Sequence, residues 1–175
     1  MVAVIDTERL RLRPWIDADA SAALAIFGTA EVAAGLTSGM GPVTDAEAMR
    51  ALLARWAAQD AAGPAAAGHW ALELRTEHRL IGGLSIELAP WDPEDVRMTW
   101  QVAPADWGHG YATESGDALA RWAIHEAGVH EVFAVIQPHN DRPAATAKRI
   151  GMEWVRGLNR LQVYRIRHGD VGWES

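Results

Sequence analysis

The chain contains no cysteine. Disulfides, thiolate metal sites and a cysteine nucleophile are excluded together. Basic charge is also scarce: 16 Lys and Arg stand against 23 Asp and Glu, a net charge of -7. That balance argues against non-specific binding to nucleic acid or to an anionic membrane, and mildly favours a cationic substrate. No run approaches the roughly 18 apolar residues of a membrane span. The opening residues, Met1 to Arg9, lack the basic start and apolar stretch of a signal peptide. These absences lead to the expectation of a cytoplasmic protein without nucleic-acid or membrane partners. Catalytic signatures are missing too. There is no Gly-x-Ser-x-Gly elbow and no Lys-Ser/Thr after the glycine-rich turn, hence no Walker motif. His125 and His130 stand five apart with Gly128 between them, which is not a zinc helix, and no metal is expected. Tyrosine and phenylalanine number two each, against nine tryptophans spread from Trp15 to Trp173. Such scattered indoles read as core and half-buried pieces.

The 175 residues are 49% hydrophobic, enough for one domain, 1–175, with a sizeable core. Leu10, Leu12 and Pro14 alternate with Arg9, Arg11 and Arg13 as a half-buried strand. Residues 17–27 read as a short helix and 35–42 as a glycine-rich loop. Thr44-Asp45-Ala46-Glu47 forms a capping box that opens a helix to about Gln59, and 61–68 is a small-residue loop. Strands at 69–75 and 80–88 flank a hairpin turn. A rigid acidic loop, 89–95, precedes a strand at 96–102. A helix then runs to about Ala127, where Gly128 stops it. Strand 130–136, a turn at 137–141 and helix 144–150, ended by Gly151, follow. Strands 152–156 and 161–167 close the chain around a turn at 157–159. Hairpins followed by alternating strands and helices predict an α/β fold, one mixed sheet with helices on both faces.

The most informative stretch is Trp107-Gly108-His109-Gly110-Tyr111-Ala112-Thr113-Glu114. A strand, a turn with two glycines and a helix start make an anion cradle: backbone N–H groups point outward and the helix dipole adds positive charge. Glycine serves where backbone bends sharply and approaches a ligand.

Three stretches in one order carry a family resemblance: Thr7-Glu8-Arg9-Leu10-Arg11-Leu12-Arg13-Pro14-Trp15, the 107–114 turn, and Asn140 through Lys148-Arg149-Ile150-Gly151-Met152. Together they resemble the GNAT acyltransferase superfamily, in particular the ribosomal-protein N-terminal acetyltransferases, over nearly the whole chain. The resemblance implies a mostly antiparallel central sheet, splayed in the middle between strands 96–102 and 130–136. It implies acetyl-CoA or another acyl-CoA as co-substrate, an amine acceptor, and a monomer or homodimer. Gly110 and Ala112 match the small positions of the pyrophosphate loop. Trp107 stands where Gln or Arg is frequent, as is common in this branch. The implied cofactor-binding set is Trp107, Gly108, His109, Gly110, Tyr111, Ala112 and Thr113 for the pyrophosphate. Free N–H groups at Gln101, Val102 and Ala103 would polarise the thioester, and Asn140 would meet the pantetheine arm. Asn140 also suits an ordinary helix cap. Arg142 and Arg149 suit either cofactor phosphates or a solvated surface.

The resemblance falters at the chemistry. Relatives often carry a Glu where this chain has Arg97, and some carry a Ser where it has Pro143. Glu87, Asp92, Glu94 and Asp95 are candidate substitutes for the base, and His109 titrates in a useful range. Thr146 and Tyr111 are candidates for protonating the departing thiolate. The implied activity is direct acyl transfer to a primary amine, with a CoA-binding sensor or partner module without turnover as the alternative.

Overall fold

Side-chain alternation decides the strands. The computed structural model describes residues 2–35 and 43–170. In β2 (Leu10–Pro14), Leu10 and Leu12 are fully buried, while Arg11 and Arg13 turn to the other face. β3 (Gly68–Leu74) is buried at every position, as expected of a central strand covered on both faces. With β1 (Ile5–Asp6), β4 (Arg79–Ala89), β5 (Asp92–Val102), β6 (Glu131–Ile136), β7 (Glu153–Leu158) and β8 (Leu161–Arg167), these form one eight-stranded sheet in the order β1-β2-β3-β4-β5-β6-β8-β7. All neighbours are antiparallel except β5 and β6.

The helices divide between the two faces. α1 (Ala20–Phe27) and α3 (Ala46–Ala62) cover one, with Ala23, Phe27, Met49, Leu52 and Leu53 in its core; α2 (Ala30–Gly35) follows α1. α4 (Tyr111–His125) and α5 (Asp141–Ile150) cover the other, where Leu119, Ala123, Ala147 and Ile150 meet Leu10, Leu12, Leu72 and Met98. Trp70 of β3 meets Trp122 of α4 edge to face at 5.4 Å. Gly116 allows α4 and α5 to approach closely, since a Cβ there would lie 2.5 Å from Ile150 Cδ1.

Several expected boundaries move. α3 is capped by Asp45, whose carboxylate accepts from the Ala48 N–H at 2.8 Å, so Thr44 and Glu47 form no capping box. Residues 92–95 belong to β5 rather than to a loop, because pairing with β4 extends to Ala89 opposite Asp92. α5 begins at Asp141, three residues before the expected start. Pro143 then falls in its first turn, where a missing N–H removes no helical bond. The last hairpin turns at Asn159 and Arg160, with φ of 47° and 71°, the pair of positive angles a two-residue hairpin wants; Gly157 and Leu158 lie in β7. Gly35 ends α2, a helix not anticipated, and the remainder of the expected 35–42 loop lies outside the described residues.

The sheet contains one break in its pairing. β5 and β6 run parallel and pair only at Val96 with Val132 and Arg97 with Phe133. Beyond Arg97 the two strands diverge, and α4 carries the chain from one to the other. Replacing fully buried Leu12 by Ala should cost about 2–5 kcal/mol. Leu88, 46% exposed, should cost no more than about 0.5 kcal/mol on the same change. Urea unfolding midpoints of the two variants measure the contrast.

Candidate active site

The glycine-rich turn sits at the mouth of this divergence. Gly108 and Gly110 have φ of +83° and +80°. A Cβ on Gly108 would meet nothing within 4 Å, and one on Gly110 would meet only Arg9 Nη2 at 3.6 Å. Glycine is therefore required here by the left-handed backbone, not by crowding. Gly110 is the N-cap of α4, and the first helical bond runs from the Glu114 N–H to the Gly110 carbonyl. Among the described residues, none accepts from the N–H groups between Gly108 and Thr113. They face an open groove of about 790 Å³ whose walls include Trp107, Tyr111, Thr113, Arg142 and Arg149.

Ion pairs pin both ends of the turn. On the incoming side, Arg79 holds buried Asp106 in a bidentate pair at 2.9 and 3.0 Å, and the Trp107 indole N–H donates to the Val102 carbonyl at 2.8 Å. On the outgoing side, Glu114 accepts from the Thr7 hydroxyl at 2.6 Å, the Arg9 backbone N–H at 3.0 Å and Arg9 Nε at 2.7 Å. Arg9 also donates to the His109 carbonyl at 3.0 Å and lies over the Tyr111 ring, which stacks on His109.

A second cavity, about 140 Å³, lies at the end of the gap, between the last residues of β5 and the start of α5; Trp100, Gln101, Val102, Asn140, Pro143 and Thr146 are among its walls. The Ala103 N–H donates to the Ile81 carbonyl at 2.7 Å and is not free, contrary to the sequence expectation. In an antiparallel ladder every second residue turns its N–H to the same neighbour. Gln101, opposite Gly83, therefore also faces β4, and Val102 faces the gap. Asn140 is the N-cap of α5 but makes no side-chain cap bond, so the ordinary capping role fails and its amide is left at the cavity wall. Arg142 stacks on Trp107 at 3.9 Å, and both line groove and gap alike. Thr146 is 4% exposed, and its hydroxyl donates to the Arg142 carbonyl at 3.2 Å.

A third cavity, about 50 Å³, lies on the α1/α3 face and shares Gln101 with the gap. Trp15, Phe27 and Trp56, in mutual contact at 5.7–5.9 Å, form its aromatic side. Its polar side follows one row of the sheet: His69 pairs with Ser85 and Ser85 with Thr99, the two hydroxyls 2.8 Å apart. Glu87 completes it, paired with Arg97 directly across the ladder at 2.7 Å. The facing His69 ring and, against the effect of burial, the Arg97 guanidinium hold the Glu87 carboxyl below the ordinary glutamate range.

Of the candidate acids, only Glu87 reaches this region. Glu94 is exposed, and Asp95 accepts from the Trp91 indole at 2.7 Å. Both lie at the far end of β5, about 20 Å from Gln101 at the rise of an extended strand. The sequence reading missed His69, Asp60 and the aromatic trio. The available signal was polar residues at His69, Ser85 and Thr99 within strands otherwise rich in apolar residues.

A sheet parted between parallel neighbours, with an unsatisfied helix start at the mouth of the gap, is the architecture that the sequence resemblance implied for an acyltransferase. Residues 9–153 match the model of the acetyltransferase (GNAT) domain, and the chain belongs to that family, which uses acetyl-CoA. An uncharacterized N-acetyltransferase, YoaA of Bacillus subtilis (strain 168), is 23% identical over 167 residues, covering 94% of this chain and 90% of that protein. Among solved structures, Mycobacterium smegmatis RimJ in complex with CoA-disulfide superposes with a TM-score of 0.83 at 16% identity, over 97% of this chain and 90% of the other. The ribosomal-protein-S5-alanine acetyltransferase of Vibrio fischeri does so with a TM-score of 0.76 at 13% identity, over 99% and 100% of the two chains. Among the described residues no helix is long and apolar enough to cross a membrane.

The Glu114 clamp has a pH signature. Burial alone would raise its carboxyl, but the bonds from Thr7 and Arg9 outweigh this and hold it below the ordinary range. Its stabilisation is complete above the unfolded-state value and disappears as pH falls through the lower folded value. Glu114→Gln should therefore cost about 1–2 kcal/mol near neutral pH, given the exposure of Arg9. The penalty should fade below about pH 4. Melting temperatures of both proteins across pH 3–8 follow it.

Proposed function

We propose that this chain transfers the acyl group of an acyl-CoA, acetyl-CoA by default, to a primary amine by direct attack in a ternary complex. The acceptor is a protein or peptide N-terminus or a small amine metabolite. One observation carries the reading: the gap between β5 and β6 opens at one end onto a cradle of free N–H groups and meets, at Gln101, an aromatic cavity containing a carboxylate.

The residues divide the work. The N–H groups of 108–113, with the dipole of α4, suit a pyrophosphate. The Asn140 amide both donates and accepts, as an amide-bearing pantetheine arm requires. The Val102 N–H, turned into the gap, suits a carbonyl oxygen on which negative charge develops. On the opposite face, Glu87 and the aromatic rings suit an ammonium group, which gains from both a carboxylate and π faces. Glu87 takes a proton from the ammonium, and the neutral nitrogen then attacks. The nitrogen's second proton passes to the departing thiolate through the Thr146 hydroxyl, at the wall of groove and gap, once that hydroxyl leaves the Arg142 carbonyl. Glu94 and Asp95 take no part. The Glu87–Arg97 pair favours one rival, a CoA-binding module without turnover, because it neutralises the carboxylate.

Thiol release measured with acetyl- and succinyl-CoA against a panel of amines, with mass spectrometry of products, tests the reading. Glu87→Gln should lower kcat/KM by about 10²–10⁴-fold and leave calorimetric CoA affinity unchanged. Gly110→Trp should weaken CoA binding by at least about tenfold, or 1.4 kcal/mol. CoA binding without thiol release from any donor, in a folded protein, would select the non-catalytic rival. Undiminished affinity in the Gly110 variant would remove the cradle.

A further inference from the structure

His69 has no part in the chemistry so far, yet its surroundings are arranged. Its imidazole stacks on the Trp56 indole at 4.9 Å and 10°. One Asp60 carboxylate binds it twice: Oδ2 accepts from the His69 backbone N–H at 3.2 Å, and Oδ1 lies 2.7 Å from ring Nδ1. In the neutral ring the proton sits on Nδ1, the nitrogen nearer a carboxylate, and Nε2 keeps its lone pair. That Nε2 is buried and has no hydrogen-bond partner among the described residues. It lies 3.4 Å from Glu87 Oε1, near but not bonded. Catalytic contacts of this kind often tighten only when substrate is bound.

The two carboxylates stand on opposite sides of a wall. Glu87 lines the small inner cavity, whereas Asp60 lines an outer depression of about 420 Å³. Trp15 and Trp56 line both and separate them. His69 bridges the two sides, Nε2 toward Glu87 and Nδ1 toward Asp60.

We propose that His69, held at Nδ1 by Asp60, forms a proton relay with Glu87: it takes the acceptor's proton from Glu87 during turnover and so keeps that carboxylate anionic. The inference rests on reading the inner cavity as the amine site. The steps balance as follows. An N–H bond of the entering ammonium breaks and its proton joins Glu87 Oε1. Glu87 passes that proton to the lone pair of His69 Nε2, giving an imidazolium. The Nδ1 proton stays on the ring, held by Asp60, and the Nε2 proton returns through Glu87 to water once the products have left. Both carboxylates are then anionic, and the ring is neutral in the tautomer it started with. Proton affinities run the same way. Despite burial, Asp60 and Glu87 together raise His69 above its ordinary value, while His69 and Arg97 lower Glu87. Glu87 is thus too acidic to keep the proton, and His69 is its resting place. The charged groups that face the ring are Asp60 from α3 and Glu87 from β4, with Arg97 of β5 bound to the latter.

His69 acts through Glu87 and is a positioning and relay residue, so its test must read more than lost activity. His69 accepts a proton only when neutral, and kcat should rise with pH through its raised value. Asp60→Asn removes the outer charge, so that limb should move to lower pH, and the ring resonances of His69 in NMR should titrate at correspondingly lower pH. His69→Gln should lower kcat by about a hundredfold, abolish the limb and leave the KM for acyl-CoA unchanged. If the limb stays in place in folded Asp60→Asn protein, the relay is overturned; this decides the matter even if the His69 variant does not fold. If Glu87→Gln leaves turnover intact, the amine-site reading itself fails. If Glu87→Gln abolishes turnover while both relay variants keep the wild-type pH profile, only the relay fails.

Discussion

The structure depends on a pairing that stops early. Two parallel strands of this length would normally bond along their shared run, yet β5 and β6 meet only at Val96–Val132 and Arg97–Phe133. An unmade backbone bond in a dry place is costly, so the gap must be held open. The devices that hold it lie outside the sheet. Arg79–Asp106 and Thr7/Arg9–Glu114 fasten the chain on either side of the turn that leads into α4. The Trp107 indole satisfies the Val102 carbonyl, so of that residue's two main-chain groups only the N–H is left facing the gap. The N-terminal strands therefore shape the site although none of their residues lines the groove or the gap.

The two sides of the gap use different chemistry. On the α4/α5 face the recognition elements are main-chain N–H groups and one amide, and their positions follow from φ angles and helix starts. On the α1/α3 face they are indoles, an imidazole and a carboxylate contributed by β2's exit, α1, α3, β3 and β4. Gln101 belongs to both cavities. On the proposed reading it stands between donor and acceptor, which suits a reaction requiring both at once.

What the sequence made legible follows from the range of the forces involved. The alternation in β2, the glycine stops at Gly128 and Gly151, and the turn at 107–114 are local signals, and the structure has strands, helix ends and the turn there. The start of β5 was not legible, because Asp92 and Pro93 read as loop residues while pairing with β4 overrides that preference. The candidate acids show the same limit. Glu87, Glu94 and Asp95 are close in number, but a hairpin sends Glu94 and Asp95 away from the gap. Asp60 and His69 are nine residues apart across an unremarkable alanine-rich stretch, and only the return of the chain from α3 into β3 makes them neighbours. The splay itself came from family resemblance, since nothing in the periodicity of either strand announces where pairing ends.

The free N–H groups of 108–113 have an evolutionary corollary. Every residue but proline offers the same N–H, so a cradle made of them is encoded in backbone shape and is largely indifferent to side-chain replacement, provided the two left-handed glycines stay. The aromatic cavity has no such insulation: each of its contacts belongs to a particular side chain on a different element. Such a scaffold can keep one donor while drifting among acceptors by a few substitutions at Trp15, Phe27, Trp56 or Thr99.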